Sequence, residues 1–325
     1  MFFHLPTSPS PYLTKALLLA LACVVGAASA QNFPVKPVRI VTTVPGGSQD
    51  LTARLIAPKL GERLGQQFIV DNRGGIISME IVAKTPADGY TLLLASASLW
   101  TSQFLRNDVS WDALKDYAPV SMLVTSPNIL VIHPSLPIRS VKDLIAFAKA
   151  RPGALNYSSG QSGASSHIAG ELFKSMTGTD IVRIAYKGQG PAMLSLITGE
   201  TQISFPNAAA ASAVMKTGKI RALGVTALKP SALTPGLPTV ASAGLPGYES
   251  KAILGLFVPV KTPTAIIEQL NAATLRALNE PDVKQRLFES GAEVVASSPA
   301  ELTAEMKADM ATMGKLMKNI GIGNK

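Results

Sequence analysis

Cysteine is all but missing from this chain. The single Cys23 stands alone in 325 residues, so no disulfide and no paired-thiol metal site can form within it. Histidine is nearly as scarce, with three in total, and only His133 and His167 lie beyond the N-terminal segment. That is too few for a histidine-rich metal centre, and no HExxH spacing occurs. Charged residues make up only 16%; they are dispersed, and the basic ones form no stripe interleaved with aromatics. Nucleic-acid binding is therefore disfavoured. The net charge of +9 fits attraction of small anions and fits a plain solvated surface equally well.

Catalytic signatures are missing in the same way. Pro45-Gly46-Gly47-Ser48 lacks the Gly-Lys-Ser/Thr ending of a Walker loop, and Gly188-Gln189-Gly190 meets Met193 where a dinucleotide fingerprint needs its third glycine. Gly160-Gln161-Ser162-Gly163-Ala164 departs from GxSxG at its last position, and no SxxK occurs. A serine hydrolase using Ser162 with His167 as base is the least favoured reading, because five residues along one loop rarely place both groups correctly. Neither a catalytic residue nor a cofactor nor a metal is expected.

What is present begins with an export signal. Lys15 precedes an apolar run from Ala16 to Val25, and Ala28-Ser29-Ala30 supplies a small-x-small cleavage site. The run is too short to span a bilayer. Cleavage after Ala30 sends the chain to the periplasm and removes Cys23. Ala20-Leu21-Ala22 is a poor match to the approach of a lipid-modified cysteine.

Hydrophobic residues make up 47% of the chain, enough for a large core, and the length suits two domains. Strands are predicted over 38–41, 68–70, 90–94, 155–157, 180–185, 202–205, 221–225 and 254–258. Helices are predicted over 50–64, 76–84, 141–150, 166–176, 191–198, 208–215, 265–278, 281–289 and 299–320. Pro58 should kink or break the first helix. The alternation implies α/β architecture with parallel sheets. Apolar stretches at 120–124 and 129–132, around Pro127, read as a crossing between domains. The expected division is 1–30 as signal peptide, 31–130 with 253–325 as a discontinuous first domain, and 131–252 as the second. Hinges are expected near Leu130 and Leu254, with the ligand in the cleft between the domains.

Two glycine- and serine-rich loops each end a strand and open a helix, at 45–50 and at 158–167. Backbone N–H groups at a helix start carry partial positive charge, and small residues let an anion approach them. Two such cradles point to one anion gripped from two sides. The ligand-binding candidates are Gly46, Gly47, Ser48 and Asp50 in the first loop, with Ser159, Ser162, Gly163, Ala164 and Ser165 in the second. Asp50 also fits a plain helix cap. Ser96 and Ser98 follow a strand and supply a third wall; Trp100 beside them fits core packing or stacking. Tyr186, Lys187 and Asn207 lie at the same edge, Lys187 as a counter-charge and Asn207 as a donor to a carboxylate. His167 reads as a capping or packing residue.

These segments, in this order, resemble the solute-binding proteins of tripartite tricarboxylate transporters, the Bug receptors. The likeness runs through 34–39, the first loop, Val70-Asp71-Asn72-Arg73, Asp88-Gly89-Tyr90-Thr91-Leu92-Leu93, Ala118-Pro119-Val120, 157–173, Tyr186-Lys187-Gly188, 218–223 and 237–248. It implies a type II periplasmic binding-protein fold of two α/β domains. It also implies capture of a small carboxylate by backbone amides, hydroxyls and waters, and transient delivery to transporter membrane subunits by a monomeric receptor without enzymatic activity. A receptor that presents its liganded state to a membrane signalling protein is the alternative. Three departures stand out. The turn Gly74-Gly75-Ile76-Ile77-Ser78 is shorter and more apolar than usual. Phe205-Pro206-Asn207 replaces Phe-Asp-Asn, which argues against an amino-acid ligand whose ammonium would want a carboxylate. Gln49 stands where the family favours smaller residues, which narrows the pocket.

Overall fold

A computed structural model describes residues 33–160 and 163–319. The signal segment, Cys23 and Ser162 lie outside the described residues. The first part of the chain alternates strands and helices: β1 (Val38–Thr42), α1 (Ser48–Leu64), β2 (Phe68–Asn72), α2 (Gly75–Ala83), β3 (Thr91–Ser96), α3 (Ser98–Leu105) and β4 (Tyr117–Pro127). A second series follows: β5 (Ile129–Ile132), α4 (Val141–Ala150), β6 (Leu155–Ser159), α5 (Ser165–Thr177), β7 (Ile181–Ala185), α6 (Gln189–Ile197), β8 (Ile203–Ser204), α7 (Ala208–Met215) and β9 (Arg221–Val225). The chain then returns through β10 (Lys251–Pro259), α8 (Thr264–Leu278), α9 (Pro281–Glu289), β11 (Glu293–Val294) and α10 (Pro299–Asn319).

Two sheets result, ordered β11-β4-β10-β3-β1-β2 and β7-β6-β8-β5-β9. Parallel pairing covers β3-β1-β2 and β8-β6-β7. The expectation of purely parallel sheets is corrected, because β4, β10, β11, β5 and β9 pair antiparallel. β4, β5, β9 and β10 adjoin the passages between sheets, where the chain enters or leaves without the helical crossover that parallel pairing requires, and the short β11 joins the outer edge of β4. The chain passes from the first sheet to the second at Asn128, between β4 and β5, and comes back between β9 and β10. Leu130 and Leu254 lie inside strands, paired with Gly224 and with Ser96 and Val124 respectively. The passages themselves are at Asn128 and at 226–250.

Each sheet has its own apolar core. Ile40, Leu92, Leu94, Leu256 and Val258 of the first sheet meet Ile56 and Leu60 of α1 and Leu270 of α8. Beneath the second sheet, Tyr157, Phe173, Phe205 and Tyr248 form an aromatic cluster with edge-on contacts. Pro58 does not break α1, which runs through it for 17 residues. Arg54, whose carbonyl loses its donor, and Pro58 itself both face solvent, while Ile56, Ala57 and Leu60 are buried on the other side. A third cluster joins the two halves: Met313, Leu316 and Met317 of α10 pack with Phe104 and Leu105 of α3 and with Ile168 and Leu172 of α5.

Candidate functional site

The two glycine loops sit at the carboxyl ends of β1 and β6. Each helix that follows starts without a side-chain cap: α1 behind Gly47 and α5 behind Ala164. Several other helices also lack such a cap, so its absence alone marks no site. Both share a left-handed glycine ahead of the helix, tied to a side chain four residues on; the tie itself recurs at α4, where Arg139 N–H donates to Asp143 Oδ2, and the glycine does not. Gly46 and Gly163 both adopt left-handed backbone, with φ of 85° and 84°. Gly46 N–H donates to Asp50 Oδ2 at 3.0 Å, and Gly163 N–H donates to His167 Nδ1 at 3.0 Å. In each case the acceptor lies four residues on, inside the first turns of the helix. The loop is thereby folded back onto the helix start, which holds its backbone in place.

The surroundings of the two pins differ. Asp50 is buried, and its Oδ1 also accepts from Arg54 Nε at 2.9 Å and from Asn72 Nδ2 at 2.8 Å. Asn72 Nδ2 also donates to the Thr43 carbonyl at 2.7 Å, and Asn72 Oδ1 accepts from Arg54. The Gly46 N–H, followed by Asn72 and Arg54, holds the Asp50 carboxyl below the usual carboxylate range despite burial. His167 is also buried, and burial pushes its imidazole down to about 4. It is therefore neutral near pH 7, with Nδ1 free to accept.

The second cradle is braced from behind. Arg183 of β7 donates from Nε to Ser159 Oγ at 2.8 Å and from Nη2 to the Gly160 carbonyl at 3.1 Å. Gly160 N–H donates to Ser166 Oγ at 3.1 Å. Sequence reading assigned the counter-charge to Lys187 and missed Arg183, a lone arginine in a strand with no motif around it. Gln189, the first residue of α6, was also missed; its Nε2 is buried without a hydrogen-bond partner among the described residues.

The candidate residues fall into groups. Gly46, Gly47 and Ser48 are exposed, and Gly163, Ala164 and Ser165 are half-buried. Asp50 and Ser159 are buried, with their polar atoms engaged inside the loops, Ser159 Oγ donating to the Gly160 carbonyl. Ser96 Oγ is 2.8 Å from Ser98 Oγ. Tyr186 donates its N–H to the Ser159 carbonyl and its hydroxyl to Glu200. Lys187 is exposed. Asn207, also exposed, caps α7 by accepting from Ala210 N–H at 2.9 Å, which leaves its amide nitrogen free to donate. Trp100 has no exposed surface; it packs edge-on against Phe257 and donates to Asp309 Oδ2 at 2.6 Å. It belongs to the core.

A groove of about 640 Å³ exists elsewhere, lined by Pro37, Pro58, Gly61, Phe68 and Ile69. It lies at the amino ends of β1 and β2, the end opposite the cradles.

Comparison with known proteins gives a consistent result. The family model described as tripartite tricarboxylate transporter family receptor matches residues 52–322. Protein BugT of Bordetella pertussis is 36% identical over 289 residues, covering 87% of this chain and 89% of BugT. Among solved structures, R. palustris Rpa4515 with adipate is 36% identical, covers 90% of this chain and 99% of its own, and superposes with a TM-score of 0.74. MatC from Rhodopseudomonas palustris with bound malate is 28% identical, covers 87% and 99%, and has a TM-score of 0.71. The two-sheet α/β architecture is that of the type II periplasmic binding proteins, as the sequence implied.

Proposed function

The chain belongs to the tripartite tricarboxylate transporter receptor family, and from that premise we propose that it captures a small carboxylate between its two glycine loops. It then delivers that acid to the membrane subunits of a transporter. The family consists of solute-binding receptors of the periplasm, which are not enzymes. Two solved relatives are described with adipate and with malate bound, which supports a carboxylate ligand for this chain.

One observation carries the reading: both loops tie a left-handed glycine N–H back to a side chain four residues on. Each uncapped helix start is thereby held open toward the anion. On this reading Gly47 and Ser48 bind one side of the carboxylate and Ala164 and Ser165, with Ser162, bind the other, while Gly46 and Gly163, whose N–H groups are bonded to Asp50 and His167, shape the two loops beside it. Asp50 and Ser159 act by holding their loops. Ser96, Tyr186, Lys187 and Asn207 border the ligand, with Lys187 and Arg183 supplying positive potential. The two halves, 31–130 with 253–325 and 131–252, close around the acid by bending at Asn128 and 226–250. The receptor acts as a monomer after cleavage at Ala30.

A thermal-shift panel of adipate, malate, citrate and benzoate tests the reading on the mature protein. An acid present at about 100 times its dissociation constant adds roughly 2.7 kcal/mol of stability. A melting temperature unmoved by all four acids would overturn the carboxylate assignment.

A further inference from the structure

The residue at which the chain leaves the first sheet for the second carries a polar side chain that the crossing does not use. Asn128 is fully buried. Its backbone is satisfied by Thr226, whose hydroxyl oxygen accepts from Asn128 N–H at 2.8 Å and whose N–H donates to the Asn128 carbonyl at 2.9 Å. An apolar residue would make those same bonds. The side chain instead reaches toward the start of α5. Asn128 Nδ2 donates to the Phe205 carbonyl and lies 3.4 Å from Ser165 Oγ. Because a carbonyl only accepts, Phe205 fixes which end of the amide is nitrogen. Asn128 Oδ1 is then left buried with no hydrogen-bond partner among the described residues, a state that folded proteins rarely tolerate without a use for it.

Ser165 is the first residue of α5, where the second cradle opens. A serine hydroxyl has one proton and two acceptor sites. With the Asn128 amide directed at one acceptor site, the proton is turned away from the hinge, toward an anion at the helix start. The amide nitrogen joins the end of β8 to the start of the cradle helix, and the amide oxygen has no partner among the described residues.

We propose that Asn128 is a positioning residue for the ligand: it orients the Ser165 hydroxyl to donate to the bound carboxylate, linking the hinge to the second cradle. The inference rests on the carboxylate reading above.

A double-mutant cycle tests it. Affinity is measured by calorimetry in Asn128→Ala, Ser165→Ala and the double variant, using whichever of adipate, malate, citrate and benzoate most stabilises the wild type. The expected result is a loss of about tenfold in each single variant, with the double variant no weaker than Ser165→Ala alone. A residue that serves only to pack the hinge would lower affinity by the same factor in both backgrounds. Losses that multiply, or wild-type affinity in Asn128→Ala, would overturn the inference while leaving the carboxylate reading intact. If Asn128→Ala does not fold, Asn128→Ser, whose hydroxyl is too short to hold Ser165, carries the same expectation. No stabilisation of the wild type by any of the four acids overturns the carboxylate reading, and the inference with it.

Discussion

Gly163 donates its backbone N–H to Nδ1 of His167 at 3.0 Å, and the imidazole is buried. That bond exists only while Nδ1 is unprotonated. The matching bond in the first cradle, from Gly46 to Asp50, ends on a carboxylate that stays ionised to lower pH. The second loop is therefore more sensitive to acid than the first.

The pH dependence follows from linkage. His167 titrates near 4 when folded and near 6.5 when unfolded, so between those values the unfolded state binds more protons. Stability is unaffected above about pH 6.5, falls as pH drops from 6.5 to 4, and levels off below. The total is at most about 3 kcal/mol, from a shift of that size. Melting temperatures measured from pH 7.5 to 4 should decline more steeply in the wild type than in His167→Gln. Parallel curves would refute the role. Asp50 acts in the same sense at lower pH: its contribution is present above its unfolded value of 3.8 and disappears as pH falls through its lowered folded value.

Glycine is required at 163 for two reasons. A β-carbon there would sit 2.9 Å from Leu105 Cδ1, and the backbone is left-handed, which costs a non-glycine residue about 1–2 kcal/mol. Gly47 has neither constraint: its φ is −88° and nothing lies within 4 Å of an added β-carbon. Gly163→Ala should therefore lower the melting temperature, whereas Gly47→Val should leave it unchanged and abolish acid binding by blocking the helix start. Unchanged affinity in Gly47→Val would remove the first cradle from the site.

Buried Trp100 donates to half-buried Asp309, whose carboxyl is pushed up by desolvation, against the indole N–H that favours the charged form. A raised folded value means this group costs stability as pH rises from the unfolded value through the folded one. Asp309→Asn keeps an acceptor for the indole and removes the charge, so it should raise stability near pH 7. Trp100→Phe strips the carboxylate of its donor and should destabilise by about 1–3 kcal/mol. Affinity for the acid should stay unchanged in both, and a weakened affinity in Trp100→Phe with normal stability would place the indole at the ligand after all.

Gly291 sits where the two halves touch. It follows α9, its φ is 80°, and an added β-carbon would lie 2.8 Å from Ala209 N and 3.1 Å from Ala209 Cα in α7. Backbone cannot yield as a flexible side chain can. Gly291→Ala should separate the halves, raising the dissociation constant roughly tenfold and increasing the radius of gyration with acid present, measured by small-angle scattering. Identical scattering in both proteins would show that this contact does not limit closure.

Much of this was legible in the sequence because it depends on neighbours along the chain. The glycine loops and the order of elements follow from local pattern, as do the helices at 141–150, 208–215 and 281–289, which were placed to the residue. So did the family likeness, which is an ordered set of such patterns. The antiparallel strands at the crossings were not legible, since pairing direction is set by which sheet a strand joins. Nor were the roles of Asp50, Asn128, His167 and Arg183. Asp50 reads as a cap until Asn72, 22 positions away, is folded against it, and Arg183 reads as an ordinary strand residue until β7 lies beside β6. The sequence by itself determined that two glycine loops open into helices, because a glycine loop before a helix is a short-range property. Which side chains hold those cradles rigid, and how the hinge reaches one of them, only the tertiary structure decided, because hydrogen bonds between distant residues arise when the sheets bring them together.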